Sequence, residues 1–118
     1  MRSKDVFNFQ EYEMADGEFV TMSTAPILLL SLRNKNKKAY EKISKVLVKG
    51  VNEKDVMEVY EFIYSAYLNG NQDEENLMTF TEFIENANPD YMKNVNVVQE
   101  MISPSKKQDS EQPSEEQQ

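Results

Sequence analysis

The residues whose spacing most resembles a chemical site run from Asn71 to Glu82. This twelve-residue stretch lies between two helix-like segments. It places Asp73 and Glu75 at the third and fifth positions, Met78 at the eighth and Glu82 at the twelfth, as an EF-hand does to surround calcium with oxygen ligands. Two residues break the pattern: Asn71 stands first in place of Asp, and Asn76 stands sixth in place of the Gly that makes the sharp turn. Thr79 and Glu82 also form the S/T-x-x-E signature of a helix capping box, which needs no metal. The pairs Glu58/Glu61 and Glu82/Glu85 have the i, i+3 spacing of acid/base dyads. On a helix exterior, that spacing is also ordinary for solvated acids.

No other residues join these acids. The chain has no histidine and no cysteine, so the usual general base near neutral pH, the thiol nucleophile and the soft metal ligands are missing. Its three glycines, Gly17, Gly50 and Gly70, are too far apart for a phosphate-cradling loop. No catalytic residue, metal site or cofactor is expected, and the chain reads as a non-enzyme that binds other proteins.

The 118 residues suit one domain. A net charge of −8 argues against nucleic-acid binding, which needs Lys and Arg for phosphate contacts. The charge is unevenly placed. Arg33 to Lys49 holds seven bases (Arg33, Lys35, Lys37, Lys38, Lys42, Lys45, Lys49) against Glu41, a net +6 that leaves −14 elsewhere. One face is then basic on an acidic molecule, or the run is simply a solvated helix face. The most apolar run, Ala25 to Leu32, is too short to cross a bilayer, and no apolar signal core opens the chain, so a cytoplasmic protein without membrane contact is expected.

The elements read as follows. Residues 6–23 form a β-hairpin turning at Asp16-Gly17, with Phe7 and Phe9 on one face, Tyr12 and Met14 on the other, and a bulge near Gln10 to reconcile them. Pro26 starts a leucine-rich helix that breaks at Arg33–Asn36, and Asn36 caps the next. In that second helix Tyr40, Ile43 and Leu47 make a stripe with Ala39 and Val46 beside it, ending at Gly50. Asn52 caps a third helix, whose face is Val56, Val59, Tyr60, Ile63, Ala66 and Tyr67. A short helix follows Thr79. Asn88 and Pro89 then open the last helix, striped by Tyr91, Val95, Val98 and Ile102. Residues 103–118 have no apolar side chain except two prolines and read as a disordered polar tail. The expected fold is α+β, mainly α: an N-terminal β-hairpin, a small bundle of four to five helices within residues 1–102, and the tail. So small a core cannot enclose every apolar stripe. Leu28, Leu30, Tyr91, Val95, Val98 and Ile102 are therefore the candidate protein-binding residues, for a client or for a second copy in a homo-oligomer.

This order of elements resembles the tail assembly chaperones of long-tailed, siphovirus-type bacteriophages of Gram-positive hosts. The resemblance covers roughly residues 5–107. It rests on the opening hairpin, the leucine-rich helix, a middle helix ending Tyr67-Leu68-Asn69-Gly70, the segment Met78 to Ala87, the segment Val95 to Ile102, and Lys106-Lys107 in a polar tail. It implies binding to the tape measure protein, which such chaperones coat before tail tube subunits polymerise, and absence from the mature virion. It also implies host bacterial cytoplasm, the tail tube protein as a further candidate partner, and a longer form of the same chain made by programmed frameshifting. Lys106-Lys107 is compatible with a slippery codon pair for that frameshift. Two alternatives stay open: a structural tail completion or connector protein, and a small acidic regulatory adaptor.

Overall fold

A computed structural model describes residues 6–102. The predicted tail and Lys106-Lys107 lie outside the described residues. The elements run β1 (Gln10–Glu13), β2 (Phe19–Met22), α1 (Pro26–Lys35), α2 (Lys37–Lys49), α3 (Val56–Gly70), α4 (Phe80–Asn86) and α5 (Tyr91–Ile102). The expected class, mainly helical with an N-terminal hairpin, is the one the chain adopts.

The strands pair antiparallel, from Gln10 opposite Met22 to Glu13 opposite Phe19, in one unbroken register. The turn forms where Asp-Gly predicted it. Gly17 takes a φ of 89°, the Met14 N–H donates to the Glu18 carbonyl at 2.8 Å, and the Asp16 carboxylate accepts from the Glu18 N–H at 2.9 Å. There is no bulge at Gln10. None is needed, since plain alternation already puts Phe9 and Tyr12 on opposite faces; the irregularity lies between the two phenylalanines, at Asn8, whose φ of 44° is in the left-handed region that Asn tolerates. Tyr12 and Met14 face inward, while Phe7 and Phe9, on either side of Asn8, stack on each other outside with ring centroids 5.6 Å apart.

α3 is the central element. Val59, Phe62, Ile63 and Ala66 on it have no exposed surface, and α2, β2, α5, α1 and α4 all pack around it. Fully burying each of the larger side chains contributes roughly 1.5–3 kcal/mol, so this helix anchors the single core that runs from Tyr12 to Met101. The helix approaches β2 closely at its end. A Cβ on Gly70 would sit 3.0 Å from the Met22 carbonyl carbon, which is why the chain carries glycine in the last turn.

Several boundaries move from their predicted places. Asp55, not Asn52, caps α3, accepting from the Glu58 N–H at 3.2 Å. Asn52 instead closes the preceding turn by accepting from the Lys54 N–H. Val56, assigned to the buried face, lies exposed in the first turn. Asn88 and Pro89 likewise form a turn before α5, and the Asp90 carboxylate accepts from the Lys93 N–H at the start of that helix. On α2 the inward residues are Ala39, Ile43 and Val46, so the stripe is rotated. Tyr40 is half-buried and Leu47 exposed.

One polar cluster pins the hairpin to the last helix. Tyr12 Oη donates to Asn94 Oδ1 at 2.8 Å and accepts from the Asn88 N–H at 2.9 Å. Asn94 Nδ2 donates to the Asn88 carbonyl at 2.9 Å and to Tyr60 Oη at 3.3 Å. Burial pushes the Tyr12 phenol up to about 12, against the opposing pull of its backbone partner Asn88.

Candidate protein-interaction surface

The EF-hand-like stretch does not gather its oxygens. Glu82 Oε1 accepts from the Thr79 N–H at 2.9 Å and Thr79 Oγ1 accepts from the Glu82 N–H at 3.2 Å, the reciprocal capping box of α4. Asn71 turns its amide to the Thr21 and Tyr67 carbonyls, at 2.8 Å each. Asp73 faces Lys35 at 3.6 Å. Among the described residues no group of three or more acids is placed to hold a metal ion. Three of the four paired carboxylates are occupied too. Glu61 meets Lys42 at 2.5 Å and Glu58 meets Lys45 at 3.6 Å, so these acids tie α3 to α2.

The apolar surface offers more. Only Leu32 of the ten residues of α1 is buried, although five of its first seven are Ile or Leu. The helix starts at Pro26 with no side-chain cap and lies at the edge of the bundle, packed mainly on α2. Leu28 and Leu29 lean half-buried to either side of Leu32, while Ile27 and Leu30 stand outward, Leu30 with 60% of its surface exposed. A helix in water normally places such residues inside. A run that leaves them out forms an apolar ridge with no partner among the described residues.

Grooves flank the ridge on both sides. One, of about 210 Å³, lies between α1 and α2 and is lined by Pro26, Leu29, Leu30, Arg33, Tyr40 and Ser44. The other, of about 370 Å³, runs between α1, the segment holding Phe7 and Phe9, and the end of α3. Its wall is held by hydrogen bonds. Gln72 Nε2 donates to the Leu28 carbonyl at 2.7 Å, and Ser31 Oγ donates to Gln72 Oε1 at 2.5 Å. Ser23 Oγ donates to the Phe7 carbonyl at 2.5 Å, fastening the aromatic segment in place. Phe7 and Phe9 are both exposed, so the apolar area continues from α1 onto this segment.

The six candidate residues divide accordingly. Leu28 and Leu30 belong to the ridge. Val95 and Val98 do not reach any surface: they are 3% and 0% exposed and pack in the core, because α5 turns that stripe against α3. Tyr91 and Ile102 are half-buried at the two ends of α5, and Tyr91 Oη donates to the Glu53 carbonyl at 2.6 Å. The α5 stripe therefore holds the fold together rather than offering a docking face. Ile27, Phe7 and Phe9 were not among the candidates. The local signal that could have pointed to the phenylalanines is the asparagine between them, a residue suited to a kink that turns neighbours out of a strand.

No helix among the described residues is long and apolar enough to cross a membrane. No protein family, curated protein or solved structure matches this chain.

Proposed function

We propose that the chain is a phage tail assembly chaperone. It is a non-enzymatic protein of the host bacterial cytoplasm that holds the tape measure protein soluble until tail tube subunits close around it. It then leaves, so the finished particle lacks it. Its other contacts are further copies of itself, including a longer frameshifted form, and the tail tube protein at handover.

The observation that carries this reading is the ridge of α1, unpartnered among the described residues, with Ile27 and Leu30 outward and Phe7 and Phe9 beside it. Full burial of such side chains contributes roughly 1.5–3 kcal/mol each, and association costs at least about 4 kcal/mol of that total. Each copy then binds weakly and can be displaced. Many copies along one long client bind strongly together, as multivalency allows. The net charge of −8 keeps a protein with such a surface from aggregating at the high copy number this requires.

The test is co-expression with the tape measure protein of the same genome, reading the soluble fraction of the client, together with mass spectrometry of purified virions. The chaperone reading expects the client to become soluble only with the chain present, and the virions to lack the chain. A client that stays insoluble, or a stoichiometric copy of the chain in virions, overturns it.

A further inference from the structure

We infer that the groove between α1 and α2 receives an amphipathic helix whose apolar face is flanked by acidic side chains. This depends on the chaperone reading above and names the kind of segment its surface selects.

The shape of the site calls for a helix. Ile27, Leu30 and Asn34 follow one another at three- and four-residue spacing along the outward crest of α1, the geometry by which a helix ridge enters the groove of a neighbour. The third helix of such a trio would fill the apolar trough lined by Pro26, Leu29, Leu30 and Tyr40. Ten residues of α1 span about 15 Å, so the partner needs about three turns, with anchors at i, i+3 or i+4, and i+7.

Charge selects the sign. Of the seven bases between Arg33 and Lys49, Lys35, Lys42 and Lys45 are already paired with Asp73, Glu61 and Glu58. Arg33, Lys37, Lys38 and Lys49 have no ion-pair partner among the described residues. One of these four lines the groove, and a second stands one turn outside its lining. Arg33 lines it directly, its guanidinium 5.9 Å from the centre of the Tyr40 ring. Lys37 lies three residues before Tyr40 and seven before Ser44, on the same side of α2. Both are exposed, so both can meet an incoming carboxylate. The one acid of the stretch, Glu41, is exposed on α2 and, like Lys37, lies outside the lining, so Arg33 leaves the groove edge net positive. The acids elsewhere on the chain repel an acidic partner at long range. At physiological salt that repulsion is screened beyond about 8 Å, whereas cations at the groove edge act at contact. An acidic approach to this groove is therefore attractive on a molecule that is acidic overall.

The experiment uses the full chain and two fluorescent peptides of about eighteen residues, long enough for five turns. They share one leucine stripe; one has Glu on both flanks and the other Lys. Overall charge alone favours the Lys peptide, so the comparison isolates the groove. The expected result, read by fluorescence anisotropy, is that the Glu peptide binds at least about ten-fold more tightly than the Lys peptide. Leu30→Asp should abolish that binding, and the double variant Arg33→Glu, Lys37→Glu should weaken it about ten-fold. All three positions are exposed, and unchanged circular dichroism would establish that the variants fold. Equal or tighter binding of the Lys peptide, lost on Leu30→Asp, overturns the acidic partner while leaving the α1 surface in place. Failure of both peptides, or a Glu peptide indifferent to the double variant, overturns the groove assignment. The chaperone reading stands or falls separately, on the solubility of the tape measure protein.

Discussion

Tyr12→Phe removes one oxygen atom, and its effect can be worked out from two hydrogen bonds. The hydroxyl donates to Asn94 Oδ1 at 2.8 Å and accepts from the Asn88 N–H at 2.9 Å, at a site where Tyr12 is 1% exposed. Phenylalanine keeps the ring and its stacking on Phe83, with centroids 5.7 Å apart, so the packing loss is small. What remains is a buried acceptor on Asn94 and a half-buried donor on Asn88 without partners, at roughly 1–3 kcal/mol for a group left so. The variant should therefore lose about 2–4 kcal/mol, a large part of the total stability of a domain this size. The same hydroxyl gives a second, independent signature. Its pKa is raised from 10.0 in the unfolded chain to about 12 in the fold, so the folded state favours the neutral phenol. That contribution is fully present below pH 10 and is lost as pH rises through 12. The loss approaches about 3 kcal/mol in full, of which about 1 kcal/mol is gone at pH 11. Tyr64 and Tyr91 are also raised, chiefly by burial, so the test is the difference between wild type and variant. Urea unfolding followed by circular dichroism at pH 8 and pH 11 measures it. A variant within about 0.5 kcal/mol of wild type at pH 8, or a gap that does not narrow at pH 11, would refute the reasoning.

Two further substitutions test the placement of the core. Val98→Asp puts a carboxylate where the side chain is 0% exposed and should unfold the domain, seen as loss of the cooperative thermal transition; a folded variant would mean that α5 does not face the core. Gly70→Ala forces a Cβ to 3.0 Å from the Met22 backbone and should cost about 1–3 kcal/mol in a urea titration, with no loss showing that α3 and β2 do not approach so closely.

Local hydrogen-bond chemistry made much of the fold legible in the sequence. The Asp16-Gly17 turn, Pro26 at a helix start, the Asn36 cap on the Ala39 N–H, Gly50 with its φ of 81° and the Thr79/Glu82 box are each decided within a few residues, and each appears where its residues predict. Where two capping residues stood close together, as with Asn52 and Asp55 or Asn88 and Asp90, sequence could not choose. Other bonds had committed the first of each pair: Asn52 closes the turn onto the Lys54 N–H, and the Asn88 N–H donates to Tyr12 Oη. The candidate surface was half legible. A run such as Ile27 to Leu30 has no polar face to orient it, so its exposure is set by which helices remain to cover it. The regular stripe of Val95 and Val98 was the better core signal, and it is core. Asn94 carried no sign of burial, because its partners Tyr12 and Tyr60 come from distant parts of the chain.

The most direct test of the account is the soluble yield of the tape measure protein co-expressed with Leu30→Asp. Leu30 is 60% exposed, so the variant should fold with a change in stability of no more than about 1 kcal/mol, the sum of a surface substitution and a poorer helix former. The account predicts a folded chain that no longer keeps the client in solution. A variant that keeps the client soluble as well as the wild type does would contradict the assignment of α1 as the contact surface.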